Sequence, residues 1–258
     1  MSMSKRIIAL VLLTYQLSWA QSEVFQDGEW FKFKMSYSGW LKAGDATLSV
    51  KETKLNNKPV YHIVGKGVTT GAIKWFFNVE DLYESYVDQV TGLPYKFIRK
   101  INEGGYTKDV VINYDHQKLE AKLTDNETGQ TTTSRIAPKT QDLISAYYYL
   151  RNFYNGIEPK DNMEVTIPLF FDNDREEFKL RYLGEEIIQT EFGRVKTYLF
   201  RPLVKADRVF RAEESITIWV SADKNRIPLR VKADLRVGSV RADLVAFKGL
   251  KHSFEVVF

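Results

Sequence analysis

The sequence predicts a mainly β protein: antiparallel curved sheets forming an open or half barrel, with one central α-helix at about residues 140–154. Three observations carry this. Apolar and polar residues alternate with a period of two along most of the chain, the alternating runs are short and bounded by turn-forming pairs, and a single segment changes to a helical period. Strict alternation places one face in a core and the other in water. Short connections between such runs make neighbouring strands antiparallel.

The elements follow in order. Lys5 and Arg6, the apolar run 7–13 and the ending Ser18, Trp19, Ala20 before Gln21 form the pattern of a secretory signal peptide. Thr14 and Gln16 interrupt the apolar run well short of the roughly 20 residues that span a bilayer. Cleavage after Ala20 is therefore expected, leaving 21–258 as a periplasmic or secreted chain without a transmembrane segment. Phe31, Phe33, Met35 and Tyr37 alternate with Lys32, Lys34 and Ser36 in the first strand, and Leu229, Val231, Ala233, Leu235 and Val237 alternate with Arg230, Lys232, Asp234 and Arg236 near the end. Between them the same pattern places strands at 45–52, 60–66, 83–88, 95–102, 108–114, 118–124, 164–171, 177–183, 197–201 and 215–221. Asn56 with Asn57, Gly104 with Gly105, Asp125 with Asn126 and Gly238 with Ser239 supply the turns.

From Thr140 the period becomes helical: Leu143, Tyr147, Leu150 and Tyr154 share a face that Ile144 and Tyr148 widen. Thr140 is the expected N-cap, Asp142 stands in the first turn, and Asn155 with Gly156 end the helix. So aromatic a face belongs across a sheet or in the mouth of a curved one. Arg151 ends this face, and its guanidinium needs a carboxylate or free carbonyls, because an unpaired buried charge is too costly.

A faint echo runs at an offset of 134 residues. Pro94, Gly104, Asp109 and Val111 fall on Pro228, Gly238, Asp243 and Val245 without a gap. It reads either as two related β units, at about 27–136 and 160–258 and joined by the helix, or as the chemistry any two hairpins share.

Composition excludes several function classes. Lys5 and Arg6 account for two of the four formal positive charges, and the remaining +2 gives no argument for nucleic acid or an anionic membrane. The absence of cysteine removes disulfides, thiolate metal sites, a cysteine nucleophile and a lipid-modified cysteine. His62, His116 and His252 lack metal-ligand spacing, no serine sits in a Gly-x-Ser-x-Gly elbow, and Gly65, Gly67 and Gly71 do not form a nucleotide loop. Asp172, Asn173, Asp174, Glu176 and Glu177 read as a hairpin turn rather than a calcium loop. No catalytic residue, metal or cofactor is expected.

What remains is aromatic content. Trp30, Phe33 and Trp40 crowd the first strand, Trp75, Phe76 and Phe77 form a run read as a strand buried on both faces or exposing one, and Tyr147 and Tyr148 lie on the helix. A curved sheet lined this way and roofed by a helix suits an apolar ligand such as an acyl chain. Trp30, Phe33, Trp40, Trp75, Phe77, Tyr147 and Tyr148 are the candidate lining, and Arg151, Pro94, Pro228, Gly104 and Gly238 the structural residues.

Asp27-Gly28-Glu29, the helix 141–151 and the stretch 219–228 together resemble the DUF3108 family over essentially the whole mature chain. The resemblance implies an exported bacterial protein of one β domain and supplies no catalytic residues. Asp88, Thr91, Gly92, Leu93, Pro94 and Lys96, echoed by Trp219, Asp223, Pro228 and Arg230, are similar to a signature of periplasmic lipoprotein carriers, whose half-barrel covered by helices holds acyl chains. The expectation is a non-catalytic binding or carrier module for an apolar or lipidic component of the cell envelope. The alternatives are a structural partner of an envelope protein assembly and, third, a glycan- or lipid-acting hydrolase. A continuous apolar cavity would separate the first from the second, and a cleft of carboxylates with raised pKa would revive the third.

Overall fold

A computed structural model of the chain describes residues 24–172, 175–203 and 215–258. The predicted signal peptide and its cleavage site lie outside the described residues. The chain forms β1 (Trp30–Tyr37), β2 (Leu41–Leu55), β3 (Lys58–Thr69), α1 (Ile73–Phe76), β4 (Glu80–Asp88), β5 (Pro94–Glu103), β6 (Tyr106–Asp115), β7 (Glu120–Asp125) and β8 (Thr131–Arg135). Then follow α2 (Leu143–Phe153), β9 (Glu164–Phe170), β10 (Arg175–Thr190), β11 (Gly193–Leu203), β12 (Ile216–Ser221), β13 (Pro228–Asp234) and β14 (Ser239–Lys248). All fourteen strands belong to one antiparallel sheet, ordered β8-β7-β6-β5-β4-β3-β2-β1-β14-β13-β12-β11-β10-β9. Two sequential meanders are thus joined where β1 pairs with β14, and the sheet is not closed: β8 and β9 are its edges.

Local chemistry explains where alternation holds and where it slips. Phe31 and Phe33 are buried as their period demands. A register shift against β2 between Met35 and Ser36 then reverses the pattern, so Ser36 is buried and the Tyr37 hydroxyl donates to the Val237 carbonyl. Gly44 makes that shift sterically feasible, since a Cβ there would lie 2.2 Å from the Val68 carbonyl oxygen. Pro94 and Pro228 each open a strand beside a register shift, at Tyr86/Val87 and Trp219/Val220. Gly104 and Gly238 close the hairpins that follow, both with positive φ. Leu235 and Val237 fall in that second turn rather than in a strand, and Val237 is exposed.

The helix differs from expectation at its start. Asp142, not Thr140, is the N-cap: its carboxylate accepts from the Ile144 and Ser145 amides while the Ser145 hydroxyl accepts from the Asp142 amide, a reciprocal capping box. Gln141 is drawn onto the β9 edge by backbone bonds to Pro168 and Phe170, which leaves Asp142 as the first residue free to cap. The run at Trp75–Phe77 is also corrected. Ile73–Phe76 forms one short helical turn whose side chains are not buried, because Thr69 and Asn78 already turn the chain back through bonds to Val79 and Gly104. β8, with the sequence Thr-Thr-Thr-Ser-Arg, has no apolar alternation to announce it.

Because strands reverse direction, their connections fall on two rims. The first rim carries residues 38–40, 70–79, 104–105, 126–130 and 235–238, and the second carries 56–57, 89–93, 116–119, 191–192 and 222–227. α2 lies across one face of the sheet and ends near the second rim, where Arg151 meets Asn225. Beneath β3 to β8 that face is filled by Phe97, Val110, Ile112, Leu123 and their neighbours. Beneath β9 to β14, Ile167, Leu169, Tyr182 and their neighbours pack against α2 but leave a space unfilled.

Candidate functional site

The three stretches singled out in the sequence converge on Arg151. Its guanidinium donates to both oxygens of the Glu29 carboxylate at 2.6 and 2.8 Å, to the Asn225 carbonyl at 2.8 and 3.1 Å, and to the Val24 carbonyl at 3.3 Å. Phe25, Phe31, Tyr147 and Tyr148 surround it with their rings. Arg151 is 3% and Glu29 1% exposed, so the pair is fully desolvated. Burial works against the guanidinium's charge, and the adjacent Glu29 carboxylate outweighs it, holding the group above its ordinary range. Asn225 is fixed in turn by its side-chain amide, which donates to the His252 and Ser253 carbonyls, while Asp223 accepts from the Ser221 hydroxyl and the Asn225 amide. This clasp closes the second rim beneath the helix.

Between α2 and the sheet lies a cavity of about 370 Å³. Its wall is made by Phe33, Ala46 and Leu48 from β1 and β2, by Ile144, Ala146, Tyr147, Leu150 and Tyr154 on or beside α2, and by Leu180, Phe200, Ile218, Val231 and Ala242 from the second meander. Arg151, neutralised by Glu29, and Arg226, whose guanidinium stacks 4.6 Å from the Tyr198 ring centre, border it. The buried Tyr154 hydroxyl has no hydrogen-bond partner, and burial pushes its pKa up to about 12. Of the wall residues, Arg226 and Pro228 at the second rim are buried, whereas toward the first rim Ile218, Val231 and Ala242 are half-exposed. The cavity therefore opens toward the first rim. Such a wall has one chemical capability, to hold apolar matter away from water.

The structure separates the residues proposed as lining. Phe33 and Tyr147 are on the wall. Tyr148 is off it, packed edge-to-face against Phe25 at 4.6 Å, and Trp30 lies half-buried beneath Lys248 outside the cavity. Trp40, Trp75 and Phe77 are off the wall, exposed at the first rim. Pro228 both opens β13 and touches the cavity. Leu180, Phe200, Ile218, Val231 and Ala242 escaped the sequence reading, which shows that they alternate but not which sheet face encloses space.

No histidine or carboxylate lies on this wall among the described residues. His62 pairs with Glu84 at 2.6 Å and stacks on Tyr86, and His116 bonds the Pro94 carbonyl. The Asp81 carboxyl is pushed up to about 6 by burial and by Glu103, but neither residue borders the cavity. Among the described residues, no group of three or more His, Cys, Asp or Glu is placed to hold a metal ion, and no helix is long and apolar enough to cross a membrane.

The profile of the family described as "Protein of unknown function (DUF3108)" matches residues 32–245, which include α2, the 219–228 stretch and every strand of the cavity wall. The chain belongs to the DUF3108 family. Glu29, the carboxylate of the clasp, stands just before the span shared with DUF3108. No curated protein sequence matches the chain. Among solved structures, a β-barrel-like protein of domain of unknown function DUF1849 from Brucella abortus matches with a TM-score of 0.56 at 10% identity, over 89% of this chain and all of that one. At that identity the likeness establishes the fold alone, so this DUF3108 chain has a β-barrel-like architecture. Two further structures cover 89% and 88% of the chain and 99% of their own length at 11% and 12% identity. One is a candidate exported protein with a YmcC-like fold from Bacteroides fragilis, the other a candidate lipoprotein from Parabacteroides distasonis. Their TM-scores of 0.33 and 0.31 carry no structural argument.

Proposed function

We propose that this DUF3108 protein is a non-catalytic binding or carrier module for an apolar chain of the cell envelope, acting outside the cytoplasm after removal of residues 1–20. The observation that carries the reading is the cavity: a space of about 370 Å³ with an almost wholly apolar wall, left unfilled beneath a helix that is fixed at both ends. An unfilled apolar space forfeits packing that the fold would otherwise gain. A protein that keeps one has a use for it. At about 30 Å³ per water-sized group, the space takes on the order of a dozen such groups, the bulk of one acyl chain. The signal-peptide pattern and the carrier-like strand signature support the same reading.

The test is native mass spectrometry of protein purified after export, followed by organic extraction. One apolar chain per protein is expected, and a Val231→Trp variant, which fills the cavity, should come out empty while still folding. Protein that carries no lipid and fails to take up a fluorescent fatty acid would refute the carrier reading.

A further inference from the structure

Among the described residues, large exposed apolar side chains are concentrated at one rim of this sheet, the other showing Val90 and Phe258. Trp75 is 90%, Phe76 88% and Trp40 81% exposed, and Phe77, Tyr106 and Val237 are each more than half exposed. All six stand on, or at the foot of, the first-rim connections 38–40, 70–79, 104–105 and 235–238. Of the second-rim connections only Val90 is comparable, the others being built from residues such as Asn56, Asn57, Gln117 and Lys118. Large exposed apolar surface in a folded chain marks something that covers it.

From these positions we infer that the first rim docks on the surface of a phospholipid bilayer and brings the cavity mouth to it. The inference deepens the carrier reading and rests on it for the purpose of docking. Three connections carry the aromatic residues and 235–238 adds Val237, each connection two strands from the next, so at about 4.8 Å per strand the four span roughly 30 Å along the rim. The connections meet in pairs: 104–105 packs on the Phe77 ring and bonds Asn78, and 38–40 bonds the 235–238 turn through Ser38 to Ser239. The interfacial layer of a bilayer accepts Trp and Phe anchors at a common depth. Among the described residues of this rim Lys42 pairs with Asp45 at 3.1 Å, Lys74 with Glu80 at 3.4 Å and Lys100 with Asp109 at 3.2 Å, while Arg236 is exposed in the 235–238 connection. Docking relies on ring burial rather than on attraction to anionic lipid. The cavity opens at this same rim, so an apolar chain would pass between bilayer and cavity without crossing water.

Flotation with vesicles of phosphatidylethanolamine and phosphatidylglycerol, using protein purified after export, tests this. Wild-type protein should float in both low and high salt, and brominated lipids should quench Trp40 and Trp75 but not Trp30 or Trp219. Trp75→Ser with Phe76→Ser, fully surface substitutions that leave thermal unfolding unchanged, should weaken partitioning about tenfold, equivalent to about 1.4 kcal/mol. Wild-type protein that stays with the soluble fraction, a variant that floats as well as wild type, or flotation abolished by salt would each overturn the inference. The two readings fail separately. Protein that floats but holds no lipid sinks the carrier reading alone, and protein that holds lipid but does not float sinks only the docking.

Discussion

Arg151 shows how one side chain organises distant parts of this chain. Its partners lie more than seventy residues away on either side, and each is a carbonyl or carboxylate that the fold must deliver. Removing one charge strands the other without water, so Arg151→Ala or Glu29→Ala should lower unfolding free energy by about 3–5 kcal/mol in urea titrations. Replacing both, Arg151→Met with Glu29→Leu, should recover most of that loss; unchanged stability in the single variants would show that the clasp does not hold the fold together. Asp142 makes a second case. Burial pushes its carboxyl up to about 6, against about 3.9 in an unfolded chain, so between those values the folded state binds the extra proton. Its contribution to stability therefore grows as pH falls from about 6 toward 4 and is lost as pH rises through 6. Asp142→Asn keeps the capping acceptor and should flatten this part of the melting profile, while Asp142→Ala should cost about 1 kcal/mol or more at every pH.

Among the elements, β2 and β3 offer a paired test of backbone approach. At Gly44 an added Cβ would meet the Val68 carbonyl at 2.2 Å, whereas at Gly67 it would meet nothing within 4 Å. Gly44→Ala should destabilise by about 1–3 kcal/mol, as overpacking does. Gly67→Ala should be neutral or slightly stabilising, and equal melting temperatures for the two would remove the steric account of the β2 register shift. These elements also show what was legible. Strands with an apolar face, such as β3 and β6, announced themselves by period, and α2 by its change of period. β8 did not, because an edge strand of threonines has nothing to bury, and the helical turn at Trp75 did not, because aromatic residues in sequence carry no sign of whether anything covers them. Arg151's need for compensation followed from its place on an apolar helix face; that Glu29 would meet it depended on pairings far apart in the chain.

At the scale of the whole molecule, alternation says that a face is buried and leaves open whether it meets atoms or space. Phe33 and Tyr147 were readable as inward-facing, yet the cavity exists because α2 crosses the sheet at a height set by Arg151 at one end and by the Asp142 bond to Ser85 at the other. Local pattern likewise gave neighbouring hairpins but not the join of the two meanders, Trp30 against Lys248 and Tyr37 against Val240. That join has a consequence for assembly. β1 leaves the ribosome, and any export channel, before every other strand, yet one of its two edges must wait for the last strand of the chain. Until β14 arrives, the backbone beside Phe31 and Phe33 has unpaired amides and carbonyls, and the contact that satisfies them closes a loop of nearly the full sequence. The nascent protein thus carries a sticky strand through the whole of its synthesis, which makes its central seam, and not its outer edges, the place where chaperone protection would matter most.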